Sequence, residues 1–156
     1  MPEAYIVEAV RTAGGRRGGK LAGWHPADLG AEVLNAIVDR TGIDASVIDD
    51  VILGCVTQAG EQAFAIARNV VLASKLPNSV PAVTIDRQCG SSQQAVQFAA
   101  QAVMSGTQDV VIAAGVESMT RVPMFSNFAL HRKEGIGIGP LSQRIKDSYG
   151  VQEFSQ

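Results

Sequence analysis

Cysteine is scarce in this 156-residue chain, which has only Cys55 and Cys89. Two thiols cannot build the disulfide framework of a small secreted domain, so the expected compartment is the cytoplasm. Long apolar runs are missing as well. None approaches the roughly 20 residues that a membrane-spanning helix requires. The opening Met1-Pro2-Glu3 is not a basic region followed by a hydrophobic stretch, which argues against a secretory leader. Excess positive charge is also lacking. The formal net charge is −2, which excludes the footprint of a nucleic-acid or membrane-surface binder, and the basic cluster Arg11, Arg16, Arg17 and Lys20 reads as solvated turn residues. The sharpest absence is local: no charged residue stands between Arg87 and Asp109.

What is present is a folding composition, 46% hydrophobic and 18% charged, with enough length for one ordinary domain and its core. Residues 4–10, AYIVEAV, read as a first strand. Residues 11–23 are Gly-rich and basic and read as a loop. Its GGRRGG at 14–19 matches neither G-x-G-x-x-G before a helix nor a P-loop, so a turn is expected there. Pro26 and Asp28 open a helical pattern carried by Leu29, Val33, Leu34, Ile37 and Val38, with Gly42 as its stop. Residues 50–56 read as a second strand, 64–76 as a helix, 81–86 as a third strand, 91–106 as a helix and 109–115 as a fourth strand. Strand and helix alternate, which predicts an α/β fold with a mostly parallel sheet flanked by helices. VVIAA at 110–114 is apolar throughout, as a strand covered on both faces should be. Beyond Thr120 the periodicity fades.

The helix after Cys89 carries Ala95, Val96, Phe98, Ala99, Ala102 and Val103 as its apolar side. Gln93, Gln94, Gln97 and Gln101 stand where a surface helix normally places charges. A charge-free helix fits a central position between layers. Cys89 stands at its start, where unpaired N–H groups and the positive end of the helix dipole favour a thiolate and can stabilise an oxyanion. Gly90 leaves the sulfur without a neighbouring side chain, and a strand-turn-helix nucleophile suits acyl transfer. Position alone leaves two readings of Cys89, a nucleophile or a small buried hydrophobe. Cys55, inside VILGCV, reads as the latter.

Several stretches taken in order resemble the N-terminal half of the thiolases, the acetyl-CoA acetyltransferases and 3-ketoacyl-CoA thiolases. They are VEAVRTAGGRRGGKLAG, GCVTQAGEQ, the block from ARNVVLASKLP through TIDRQCGSSQQAVQFAAQAVMSG, and AAGVESMTRVPM. The resemblance implies a thiolase-like layered α/β fold of which residues 1–119 form an incomplete N-terminal half-domain, truncated before its last strand. It implies that 120–156 begin the insertion used for oligomerisation and CoA binding. It makes Cys89 the nucleophile that takes an acyl group from acyl-CoA, with its own backbone N–H in the oxyanion hole. Glu117 to Met119 would lie near the catalytic cavity without touching substrate.

The implied reaction is acyl transfer between CoA thioesters, as 3-ketoacyl-CoA thiolysis or acetyl-CoA condensation. Coenzyme A and acyl-CoA serve as substrates, and no permanently bound cofactor or metal is needed. A homodimer or homotetramer would form through the third strand and the 120–156 region. RQCGSSQQ resembles the degradative, fatty-acid or sterol side-chain members more than the synthetic ones. The family's Asn-Glu-Ala, Gly-His-Pro and Cys-x-Gly-Gly motifs do not occur in this sequence, and His25 and His131 read as solvated loop residues. The expectation is therefore an N-terminal piece that is inactive alone. Two other readings stay open: a Cys–His thioester hydrolase using Cys89 and His131, and a non-catalytic association module.

Overall fold

A computed structural model describes residues 2–152. Three strands form one fully parallel sheet: β1 (Asp50–Gly54), β2 (Ala82–Ile85) and β3 (Val111–Gly115), in the spatial order β2-β1-β3. Three helices accompany them, α1 (Pro26–Thr41), α2 (Ile66–Ala73) and α3 (Ser91–Ser105). Side chains on β1 alternate between two cores, as a period of two demands. Val51 and Leu53 join Ala27 and Leu34 of α1 and Ile66, Ala67, Val70 and Val71 of α2. Ile52 points to the other face, where it meets Ala95 and Ala99 of α3. The result is three layers, with β1 buried along its apolar length.

Local chemistry explains the helix limits. His25 caps α1: its Nδ1 accepts the Ala27 N–H at 3.2 Å, and Pro26 needs no partner at the first helical position. Gly42 ends α1 with a left-handed φ of 64°. α2 begins later than the pattern of 64–76 suggests, because Phe64 and Ala65 both take positive φ, 61° and 55°. No side chain at Ala65 caps the helix, so Thr84 of β2 accepts the Ala67 N–H instead, at 3.0 Å. Arg68 donates to the Val80 and Asn78 carbonyls at 2.7 and 2.8 Å, fastening α2 to the connection into β2. Asp49 accepts the Asp109 and Val110 N–H groups at 2.7 and 3.0 Å, which sets the entry to β3; those bonds hold its carboxyl below the ordinary range.

Two expectations need correction. Residues 4–10 form no strand, and Tyr5, Ile6 and Val7 are 79%, 80% and 85% exposed. β propensity becomes a strand only with a ladder partner, and no described residue supplies one. α3 is not buried all round. Ser91, Gln94, Ala95 and Ala99 are buried against the sheet, while Val96, Phe98 and Met104 are exposed alongside Gln93, Gln97 and Gln101. Among the described residues α3 has a layer on one side only, and no described residue covers its charge-free outer face.

The chain divides into two compact units, residues 1–123 and 124–156. In the second, where little regular structure was expected, a short turn at Ser126–Phe128 precedes α4 (Leu130–Glu134) and α5 (Gln143–Tyr149). Ser142 caps α5 by accepting the Ile145 N–H at 3.3 Å. No helix of the described residues is long and apolar enough to cross a membrane.

Candidate active site

All three strands are parallel, so the loops that follow them share one edge of the sheet. The loop after β1 leads to α2 on one face, and the loop after β2 leads to α3 on the other. Where neighbouring loops part in this way a crevice opens at the carboxyl ends of the strands, the usual place for a site in such sheets. Cys89 lies there.

The turn that carries it is tied at several points. Asp86 Oδ1 accepts the Gln88 N–H at 2.7 Å, and Gln88 reverses the chain with a left-handed φ of 49°. The Gly90 N–H donates to the Arg87 carbonyl at 3.1 Å and the Ser91 N–H to the Gln88 carbonyl at 3.0 Å. The buried Ser91 hydroxyl donates to the Gln88 carbonyl at 2.6 Å and accepts the Arg87 N–H at 2.8 Å. Ser91 therefore braces both sides of the turn while Cys89 stays exposed. A Cβ on Gly90 would make only ordinary contact, 3.5 Å from the Arg87 carbonyl oxygen. The fold itself does not demand glycine beside the sulfur.

Beneath the turn, the fold does demand glycine. Gly54 and Gly115 are register partners on β1 and β3. A Cβ on Gly54 would stand 2.4 Å from the Ser92 nitrogen, and one on Gly115 2.6 Å from Ser92 Cβ. The first turn of α3 thus rests directly on two adjacent strand backbones, which fixes the height of Cys89 above the sheet edge.

Past those glycines lies a polar network centred on Glu117. Its Oε2 accepts the Val56 N–H at 2.7 Å and the Cys55 thiol at 3.7 Å. Its Oε1 accepts the Thr57 N–H at 3.1 Å and Gln62 Nε2 at 3.0 Å. Gln62, fully buried, also donates to the Thr57 carbonyl at 2.8 Å and accepts the Ser118 N–H at 2.6 Å. Cys55 is 1% exposed. Burial, then the Glu117 charge, push its thiol up to about 12, so it remains protonated and acts as a donor. Sequence reading treated Cys55 as an apolar filler and missed this network; the paired polar stretches TQAGEQ and VES at the ends of two strands were its only signal.

His25 also needs correction, because it is not merely a solvated loop residue. Beyond its capping bond, its Nε2 stands 4.0 Å from Glu61 Oε2. Arg121 grips the same carboxylate through Nε and, at 2.6 Å, Nη2, and thereby lowers the Glu61 pKa. Gly18, in the predicted turn, donates its N–H to Thr120 Oγ1 at 3.1 Å. These contacts tie the N-terminal loop to the turn after β3. His131 belongs to the second unit, where its ring lies against Gly139. Among the described residues no group of His, Cys, Asp and Glu is arranged to hold a metal ion.

Comparison with known proteins converges on one group. Residues 4–151 match the family model described as thiolase, N-terminal domain. A steroid 3-ketoacyl-CoA thiolase of Mycobacterium tuberculosis is 52% identical over 100% of this chain and 39% of its own length. A 3-ketoacyl-CoA thiolase of Serratia proteamaculans is 46% identical over 84% of this chain and 34% of its own. A β-ketoadipyl-CoA thiolase of Acinetobacter baylyi is 40% identical over 100% and 41%. The chain therefore spans about two fifths of the length of the curated relatives it matches.

Proposed function

The chain belongs to the thiolase N-terminal domain family, and from that premise we propose that it supplies the nucleophile for acyl transfer between CoA thioesters. Cys89 is that nucleophile. Its thiolate adds to the thioester carbonyl, and the negative charge on oxygen is met by N–H groups at the start of α3, the Cys89 N–H included. Collapse of the tetrahedral adduct expels the CoA thiolate and leaves an S-acyl Cys89. In thiolysis the Cys89 thiolate adds instead to the 3-keto carbon, the C2–C3 bond breaks to expel acetyl-CoA as its carbanion, which takes up a proton, and the acyl group left on Cys89 passes to the sulfur of a free CoA. In condensation it passes to the α-carbon of acetyl-CoA, giving a 3-ketoacyl-CoA. The two half-reactions give ping-pong kinetics.

The observation that carries this reading is the exposed Cys89 on a braced turn at the carboxyl edge of the sheet, seated on Gly54 and Gly115. A general base and a second acid/base come from outside this stretch of sequence, which lacks the three further motifs of the family. The names of the relatives favour a 3-ketoacyl-CoA substrate, and the RQCGSSQQ stretch favours the degradative direction. The reading includes a homo-oligomer assembled through β2, which is a sheet edge with Val83 exposed, and through 120–156. It also includes a cytoplasmic site of action and no permanently bound cofactor.

The test is Cys89→Ala in the intact protein carrying this sequence. Acyl-enzyme formation from acyl-CoA is expected to fall by at least about a thousandfold. Activity that survives the substitution would remove Cys89 from the role.

A further inference from the structure

We propose that Glu117 is a positioning residue for Cys89, its carboxylate fixing the spacing of the two strand ends on which the first turn of α3 is seated. The inference rests on Cys89 being the residue that is acylated. Although Glu117 lies at the surface, both its oxygens are turned onto protein donors, two each. Those donors belong to Cys55, Val56, Thr57 and Gln62, all in the segment leaving β1, whereas Glu117 itself follows β3. The carboxylate is thus a clasp between two strand ends.

The clasp lies beside the cradle. Cys55 follows Gly54 directly, and Glu117 stands two residues past Gly115. The Val116 N–H donates to the Gly54 carbonyl at 3.1 Å, and the Cys55 N–H donates to the Ile85 carbonyl at 3.0 Å. The segment that Glu117 holds is therefore bonded to the end of β2, and the backbone beside Glu117 to the end of β1, one residue from the atoms that touch Ser91 and Ser92. Ser91 in turn braces the Cys89 turn through Arg87 and Gln88. Each link is a hydrogen bond or a van der Waals contact, so a shift at Glu117 reaches the sulfur with little slack.

Glutamine at 117 has one acceptor oxygen and an NH₂ group, and so must aim donors at donors on one side of the clasp. Glu117→Gln keeps size and removes the function. The measurement uses the intact protein carrying this sequence. It reads the rate constant for acylation of Cys89, with the bound acyl group located by mass spectrometry, and the KM for acyl-CoA, both corrected for the folded fraction. Glu117→Gln is expected to lower the acylation rate constant by about tenfold to a hundredfold with KM changed by less than about twofold, as misplacement of a reacting group does. Val70→Ala, in the core on the α1–α2 face, serves as a control for stability loss alone and retains the wild-type rate per folded molecule.

A Glu117→Gln rate within about twofold of wild type, or an equal loss in Val70→Ala, overturns the inference. If Glu117→Gln does not fold, Gln62→Met removes one donor to Oε1, and a loss of about threefold is expected; an unchanged rate in folded Gln62→Met also overturns it. An acylated Cys89 with an unaffected Glu117→Gln variant overturns only this inference. No acyl group on Cys89 in the wild-type protein overturns the nucleophile reading and this inference with it.

Discussion

Cys55 and Cys89 follow neighbouring parallel strands at the same edge of one sheet, yet they have opposite surroundings. Cys55 continues the line of β1 into the core, where its thiol is covered and donates to Glu117. Cys89 follows a left-handed residue, Gln88, which turns the chain out of the sheet before α3 begins. One thiol is held protonated by burial, with its pKa near 12. The other is presented to solvent at the end of a helix. The difference is made by backbone: β1 runs straight on, while the chain after β2 is reversed by Asp86, Gln88 and Ser91. Residue type says little about reactivity until the turn that carries it is known.

The comparison can be sharpened first by chemical labelling. With a small alkylating reagent at mildly alkaline pH, Cys89 of the folded chain is expected to react at least about a hundredfold faster than Cys55, because Cys89 is exposed whereas Cys55 is buried and held protonated. Labelling that strikes both sites at similar rates would erase the distinction. The next largest effect is on the glycines. Gly54→Ala forces a Cβ onto the backbone of Ser91 and Ser92 and is expected to cost about 2–3 kcal/mol in a urea denaturation series. Gly90→Ala is expected to change stability by no more than about 0.5 kcal/mol in the same series. Equal costs at the two sites would refute the cradle.

The smallest effect is on pH dependence. An exposed Cys55 ionises near its ordinary value of 9.0, and the folded chain holds its proton up to about 12. Between those values the unfolded chain has released a proton that the folded chain keeps, so stability falls as pH rises through that window. Cys55→Ala removes this contribution, and its urea midpoint is expected to decline less steeply than that of the wild type above pH 9.0. Parallel declines would mean that Cys55 is not held protonated.

Much of this was legible from pattern. The apolar run within residues 50–56 announces a strand, and Pro26 and Gly42 mark the ends of α1. Cys89 at a strand–helix junction was visible because the charge pattern stops there. What stayed hidden depends on partners distant in sequence. Residues 4–10 carry a strand pattern, but a ladder needs a second strand. Phe64 and Ala65 adopt a backbone that their side chains do not advertise, so the start of α2 was misplaced. Glu117 reads as an ordinary surface acid until the fold brings it to Val56, Thr57 and Gln62, some sixty positions earlier in the chain. Gln94, read as part of a polar face, is buried, whereas Val96 and Phe98, read as core, face outward.

The most direct test is to mix the intact protein with an acyl-CoA, quench in acid within the first turnover, digest, and locate the added mass. The account predicts one acyl group on the peptide that contains Cys89 and none on the peptide that contains Cys55. An acyl group on Cys55, or a protein that turns over with Cys89 unmodified at every quench time, would contradict it.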